Sequence, residues 1–301
     1  MFSVKELAAV TGGKISGSIE RQVSGISTDS RTATAGQLFV PLKGERFDGH
    51  DYLPELFAKG VAVALIAESR LSAILPSPEV TLISVPDTLA ALGDLALSYR
   101  LRFSLPVIGV TGSNGKTTTK EMLAAILSAR GEGLKTSGNL NNLIGLPQMV
   151  LQLKKDHQWA VFELGMSEFG EIDRLAAIAA PQIGIITNAF PAHLASMGSV
   201  AGVAKAKGEL FLRLLPGATA IYNADDALIT ACPTPEGVSR RGFGLHGAEI
   251  TALSLIPAWR QIQGCNLRSM QTESAPRNTL RCRTCRDQSV IGIVDCSRPW
   301  Q

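Results

Sequence analysis

The chain has 301 residues, a length that suggests two domains or three small ones. Hydrophobic residues make up 45% and charged residues 18%, the balance of a globular protein with a core large enough to need no disulfides. A formal net charge of +3 and an aromatic content of 5% argue against a nucleic-acid-binding surface, which needs a strong positive field or stacking platforms. The N-terminus carries an early acid, Glu6, and no apolar h-region, so no signal peptide is expected. No uninterrupted apolar run reaches the roughly 18 residues of a membrane span. The expected setting is the cytoplasm, without membrane insertion, where cysteines stay reduced.

In chain order, Ser3 and Glu6 predict a capping box ahead of a short helix that Gly12 and Gly13 end. Apolar strands follow at 37–42, 61–67 and 81–85, with Pro76 and Pro78 marking a loop between the last two. Residues 1–100 are expected to form a small α/β domain. From 101 to 252, apolar runs at 107–110, 159–164, 183–187 and 218–222 alternate with helical stretches. The stretch 116–130 places Met122, Leu123, Ile126 and Leu127 on one face and stops at Gly131. The stretch 200–215 turns Val203, Leu210, Phe211 and Leu214 inward, with Lys205, Lys207 and Glu209 on other faces. Strands alternating with helices predict βαβ units around a mainly parallel sheet.

Residues 253–301 differ in composition. They hold seven arginines and no lysine, four of the five cysteines and two of the three tryptophans, without sustained periodicity. The expectation is a disordered tail of foreign origin, as from a shifted reading frame or a fusion; the alternative is a loop-rich basic tail. Cys282 and Cys285 form a C-x-x-C, but neither a second pair for zinc nor a strand-then-helix context for redox chemistry accompanies it.

The strongest chemical signal is Thr111-Gly112-Ser113-Asn114-Gly115-Lys116-Thr117-Thr118, between a strand and a helix. Glycines let backbone N–H groups turn inward on phosphate oxygens, and the helix N-terminus adds partial positive charge. Lys116 would meet the β and γ phosphates of ATP and the Thr117 hydroxyl would meet Mg²⁺. The strict pattern wants glycine five residues before Gly115, where this chain has Val110. Glu163 ends an apolar strand, where a parallel sheet binds ligands and where a hard cation wants an oxygen. His193, beyond the next strand, could bind metal or phosphate oxygen, or be structural. Asn223, at the end of another strand, could hydrogen-bond a purine.

These residues, in this order, resemble the Mur ligase family, ATP-dependent enzymes of peptidoglycan precursor synthesis. The stretches that carry the resemblance are T-G-S-N-G-K-T-T-T-K (111–120), T-S-G-N-L-N-N-L-I-G-L-P (136–147), E-L-G-M-S (163–167), I-T-N-A-F-P-A-H-L (186–194) and A-K-A-K-G-E (204–209). Within the family, the second of these, with S-T-D-S-R (27–31) and L-K-G-E-R-F-D-G-H-D (42–51), is similar to members that add D-alanyl-D-alanine to UDP-N-acetylmuramoyl-tripeptide. A folylpolyglutamate synthase fits these stretches less well, and an inactive fragment that binds only nucleotide or nucleotide sugar is the other alternative. The resemblance implies ATP and Mg²⁺ as cofactors, and those two substrates as partners of a monomer. It implies that Ser30 and Arg31 lie near the uridine diphosphate, and that Thr136, Asn139 and Asn142 contact the muramoyl-peptide. It also implies that Glu163 and His193 serve metal sites, that Lys207 becomes a carbamate on the second Mg²⁺, and that Asn223 touches adenine. The family's third, Rossmann-like domain is expected to be absent.

Overall fold

A computed structural model describes residues 2–73, 78–246, 248–251, 270–272 and 280–282. Phe2–Ser3 (β1) pairs with Gln22–Val23 (β3) and leads into Val4–Thr11 (α1). Ser3 Oγ accepts the Glu6 N–H at 3.2 Å, and Gly12 ends the helix at φ +64°. The reciprocal half of the capping box does not form, because Arg102 Nη2 donates to the Glu6 carboxylate at 2.6 Å.

Lys14–Ser16 (β2), Gly25–Ser27 (β4), Gln37–Phe39 (β5), Val63–Ala67 (β6) and Thr81–Val85 (β7) make a sheet in the order β2-β7-β6-β5-β4. Only β2 runs antiparallel to its neighbour. Leu53–Ala58 (α2) buries Leu53 and Leu56 on one face of this sheet. On the other, α1 and Thr88–Arg100 (α3) pack Leu7, Leu92 and Leu95.

Val107–Thr111 (β8), Lys116–Leu127 (α4), Gly133–Lys135 (β9), Gly145–Val150 (α5), Trp159–Glu163 (β10), Glu171–Ala179 (α6) and Ile183–Ile186 (β11) continue the chain. Leu194–Met197 (α7), Val200–Leu212 (α8), Thr219–Asn223 (β12), Ala227–Thr230 (α9), Ser239–Gly244 (β13) and Ile250–Thr251 (β14) follow. The seven strands form an all-parallel sheet ordered β14-β13-β12-β11-β8-β10-β9. From β8 the chain crosses outward to β9, returns to β10, and then crosses to β11 on the other side of β8. The end of β8 is therefore a topological switch point, the crevice at which such sheets bind ligands.

Successive side chains of a strand face opposite sides. Ala160 and Phe162 of β10 join the core under α5, α6 and α8, whereas Trp159 and Val161 join the core under α4. Glu163 continues the Trp159–Val161 face, so the carboxylate is delivered toward α4.

Of the expected apolar face of α4, Leu123 and Leu127 pack on the core beneath, whereas Met122 is 50% exposed; the buried positions of the helix are Lys120 and Ala124. Arg100, at the end of α3, is buried and donates to the carbonyls of Ala179 at 3.0 Å and Phe103 at 2.7 Å, tying α3 to the end of α6. In the tail, Met270–Thr272 (β15) and Leu280–Cys282 (β16) pair antiparallel, strands that its aperiodic sequence does not predict. Cys265, Cys285, Cys296 and the rest of the expectations for 253–301 lie outside the described residues.

Candidate active site

The loop between β8 and α4 sits at the switch point. Gly112 has φ +152°, and a Cβ there would lie 1.8 Å from Thr187 Oγ1. Gly115 has φ +79° and caps α4 in the left-handed region, which glycine enters without strain. The strand after this crevice buttresses the loop. Ser113 N–H donates to Asn188 O at 3.0 Å, Asn114 N–H to Asn188 Oδ1 at 2.9 Å, and Thr187 Oγ1 to Asn114 O at 2.7 Å. Ser113 Oγ donates to Phe190 O at 3.0 Å. Val110 is fully buried inside β8, so the position where the strict pattern wants glycine belongs to the strand and not to the loop.

The first N–H groups of α4, at Lys116, Thr117 and Thr118, have no acceptor within the helix and open onto the crevice. Lys116 Nζ donates to Gly112 O at 2.7 Å, which keeps the ammonium over the loop. Thr111 lies beneath, buried, with its hydroxyl on Leu164 O at 2.8 Å.

Glu163 is 3% exposed and held at three points. Thr117 Oγ1 donates to its Oε2 at 2.9 Å, Asn141 Nδ2 donates to its Oε1 at 3.0 Å, and its backbone N–H reaches Thr136 Oγ1 at 2.9 Å. The Thr117 hydroxyl gives its hydrogen to the carboxylate, so an oxygen lone pair remains for a cation. A hydroxyl and a carboxylate at the mouth of a phosphate loop suit Mg²⁺, which takes one or two protein oxygens and fills its shell with water and phosphate. Among the described residues no three His, Cys, Asp or Glu side chains gather closely enough for an all-protein cage.

Lys207 reaches the same place from α8. It is 3% exposed, and burial first, then the nearby Lys116 charge, lower its pKa from the ordinary 10.5 to about 8. The placement of Lys207 off the inward face of α8 is therefore wrong, while Lys205 is exposed. The inward stripe Val203, Leu210, Phe211 and Leu214 includes position 207 at helical spacing. Gly184 of β11 admits Leu210, whose Cγ would lie 3.2 Å from a Cβ there, and this close approach carries Lys207 under the loop. Glu209 instead caps α6, its carboxylate accepting Gly170 N–H at 2.9 Å and Asp173 N–H at 3.0 Å.

A Mur ligase middle-domain model matches residues 110–261, and a model described as the Mur ligase family catalytic domain matches residues 22–100. The chain belongs to the Mur ligase family. A UDP-N-acetylmuramoyl-tripeptide--D-alanyl-D-alanine ligase of Synechocystis is 44% identical over 231 residues, 76% of this chain and 50% of that protein. The enzyme of the same name from Bacillus subtilis is 42% identical over 229 residues, 75% and 50% respectively. The structure of MurF from Acinetobacter baumannii superposes with a TM-score of 0.76 at 37% identity, covering 85% of this chain and 56% of that one. MurF ligase from Thermotoga maritima in complex with ADP gives 0.68 at 31% identity, covering 76% and 51%. The chain spans about half the length of the curated relatives it matches.

The other Mur-type positions fall as follows. Asn223 is bound within the sheet, its Nδ2 on Thr187 O at 3.0 Å and its Oδ1 accepting Asp225 N–H at 3.0 Å. His193 is exposed, at φ +52°, at the start of α7, and its carbonyl accepts the Met197 N–H at 2.9 Å. Thr136 is fully buried, and its hydroxyl accepts the Glu163 N–H at 2.9 Å. Asn139 and Asn142 are exposed on the loop between β9 and α5, with Asn142 Oδ1 accepting Gly145 N–H at 2.8 Å. Ser30 and Arg31 belong to the turn after β4. Arg31 is exposed and chelates Asp29 through Nε at 2.9 Å and Nη2 at 2.6 Å, and the Asp29 carboxyl is held at about 2 by these bonds. Gln148 Nε2 on Thr28 Oγ1, at 2.7 Å, joins that turn to α5. Sequence reasoning missed Asn141, Thr187 and Asp226. The last accepts Ala189 N–H at 2.7 Å and steadies the run toward His193.

Proposed function

We propose that this chain carries the nucleotide-sugar and ATP sites of a ligase that joins D-alanyl-D-alanine to UDP-N-acetylmuramoyl-tripeptide in cytoplasmic peptidoglycan precursor synthesis. The observation that carries the reading is the junction of Thr117 with Glu163 at 2.9 Å, beside Lys116 and the buried amine of Lys207. Residues 1–100 hold the uridine diphosphate end, with Ser30 and Arg31 in the turn after β4. Residues 101–252 hold ATP, and Asn139 and Asn142 present the muramoyl-peptide.

The reaction begins with the terminal carboxylate of the tripeptide attacking the γ-phosphorus in line. The bond to ADP breaks and an acyl phosphate forms. The dipeptide amine then attacks the acyl carbon, phosphate leaves, and the amine loses a proton as the peptide bond forms. The first step brings two anions together, and at contact distance their repulsion is about 4 kcal/mol at an effective dielectric of 20. Lys116 and the α4 amides offset that repulsion by holding phosphate oxygens. Bound Mg²⁺, held by Thr117 and Glu163, with His193 and a Lys207 carbamate at a second ion, supplies further charge neutralisation.

Phosphate release with ATP, Mg²⁺ and UDP-N-acetylmuramoyl-tripeptide tests the proposal. Release that depends on D-alanyl-D-alanine and yields the joined product supports it. Release indifferent to the dipeptide, or no binding of the nucleotide sugar, contradicts it.

A further inference from the structure

Lys120 is a charge that the scheme above leaves unused. It lies one turn beyond Lys116 in α4 and is 2% exposed. A buried ammonium is costly unless it is paired and hydrogen-bonded. Its Nζ donates to Thr136 O at 2.8 Å and pairs with Glu121 Oε1 at 3.1 Å. Glu121 is kept ionised chiefly by its hydrogen bond from Lys135.

What Lys120 does to Thr136 shows in the strand register. β9 pairs with β10 as far as Lys135↔Val161. A continuing parallel ladder would have Thr136 donate its N–H to Val161 O and accept the Glu163 N–H on its carbonyl. The first bond is present at 3.0 Å. In the second, the Thr136 hydroxyl takes the carbonyl's place at 2.9 Å, and the carbonyl itself is turned onto Lys120. The chain then leaves the sheet through Gly138, at φ +54°, and returns Asn141 to the Glu163 carboxylate.

We propose that Lys120 is a positioning residue: by drawing the Thr136 carbonyl out of the ladder it sets where the 136–147 loop departs, and so aims Glu163 at the divalent cation of the nucleotide. α4 then grips Glu163 twice, through the Thr117 hydroxyl on the carboxylate and through Lys120 and Thr136 on the backbone N–H. The phosphate-binding helix and the substrate loop are locked together by one lysine. The inference rests on the ATP and Mg²⁺ reading of the site.

The test is titration of the full chain with ADP, once with Mg²⁺ and once with EDTA, for the wild type, Lys120→Met, Thr136→Val and Thr136→Ser. Outer-shell partners of metal ligands are worth about tenfold or more, so Lys120→Met and Thr136→Val are expected to lose about tenfold of the gain that Mg²⁺ gives, and to stay within about twofold of wild type in EDTA. Thr136→Ser, which keeps the hydroxyl, is expected to retain the gain. Equal losses with and without Mg²⁺ would reduce Lys120 to a structural support, and an intact gain would remove the link; either overturns the proposal. Should Lys120→Met not fold, the Thr136 pair decides alone, since it cuts the last step of the relay, the hydroxyl on the Glu163 N–H, without stranding a charge. A wild-type chain that binds ADP without any gain from Mg²⁺ overturns the metal reading of the site, a result distinct from failure of the variants.

Discussion

Replacing Lys207 with methionine is expected to stabilise the fold at neutral pH. Lys207 is 3% exposed, forms no hydrogen bond or ion pair among the described residues, and faces the charge of Lys116. Its folded pKa of about 8 lies below the ordinary 10.5, so the folded chain holds this proton less tightly than the unfolded chain does. The charged side chain therefore opposes folding in full below pH 8. That opposition fades as pH rises from about 8 toward 10.5 and is absent above it. The gap corresponds to about 3 kcal/mol as an order of magnitude. Methionine has similar length and no charge to desolvate. Urea unfolding in carbon-dioxide-free buffer is the assay. The variant is expected to be more stable by about 1–3 kcal/mol at pH 7, with the difference falling below about 1 kcal/mol at pH 10. Added bicarbonate is expected to narrow the difference at pH 7, because a carbamate would face Lys116 as an anion. A variant less stable at pH 7, or a difference unchanged between pH 7 and 10, would refute the reasoning.

Gly112→Ala places a Cβ 1.8 Å from a Thr187 hydroxyl anchored on Asn114 O, so it is expected to cost about 2 kcal/mol in thermal unfolding and to abolish nucleotide binding by calorimetry. Glu209→Ala removes the carboxylate that caps α6 and is expected to cost about 1 kcal/mol in urea unfolding, with ADP affinity preserved. Arg100→Leu strands the Ala179 and Phe103 carbonyls without their charged donor and is expected to cost about 3 kcal/mol by the same measurement.

The loop between β8 and α4 was legible because its signal is local: a strand, two glycines, a lysine and a hydroxyl stand side by side in the chain. Strands such as Thr81–Val85 and Trp159–Glu163 were legible because burial on both faces writes a continuous apolar run. β9 and β14 were missed as edge strands of three and two residues, and the six-residue β13 reads Ser239-Arg240-Arg241-Gly242-Phe243-Gly244, with little apolar signal. Lys207 was misjudged because its charge outweighed its place on the inward stripe of α8. Asn141 and Thr187 were missed because their importance lies in partners 22 and 73 residues away, Glu163 and Asn114. Only the strand register reveals that the Thr136 hydroxyl replaces a ladder carbonyl.

The central claim is that the β8–α4 loop and Glu163 bind Mg²⁺·ATP. Calorimetric titration of the chain and its Lys116→Ala variant with a non-hydrolysable ATP analogue in Mg²⁺ tests it most directly. The account predicts one saturable site in the wild-type chain that the variant loses; equal affinity in the two proteins would contradict it.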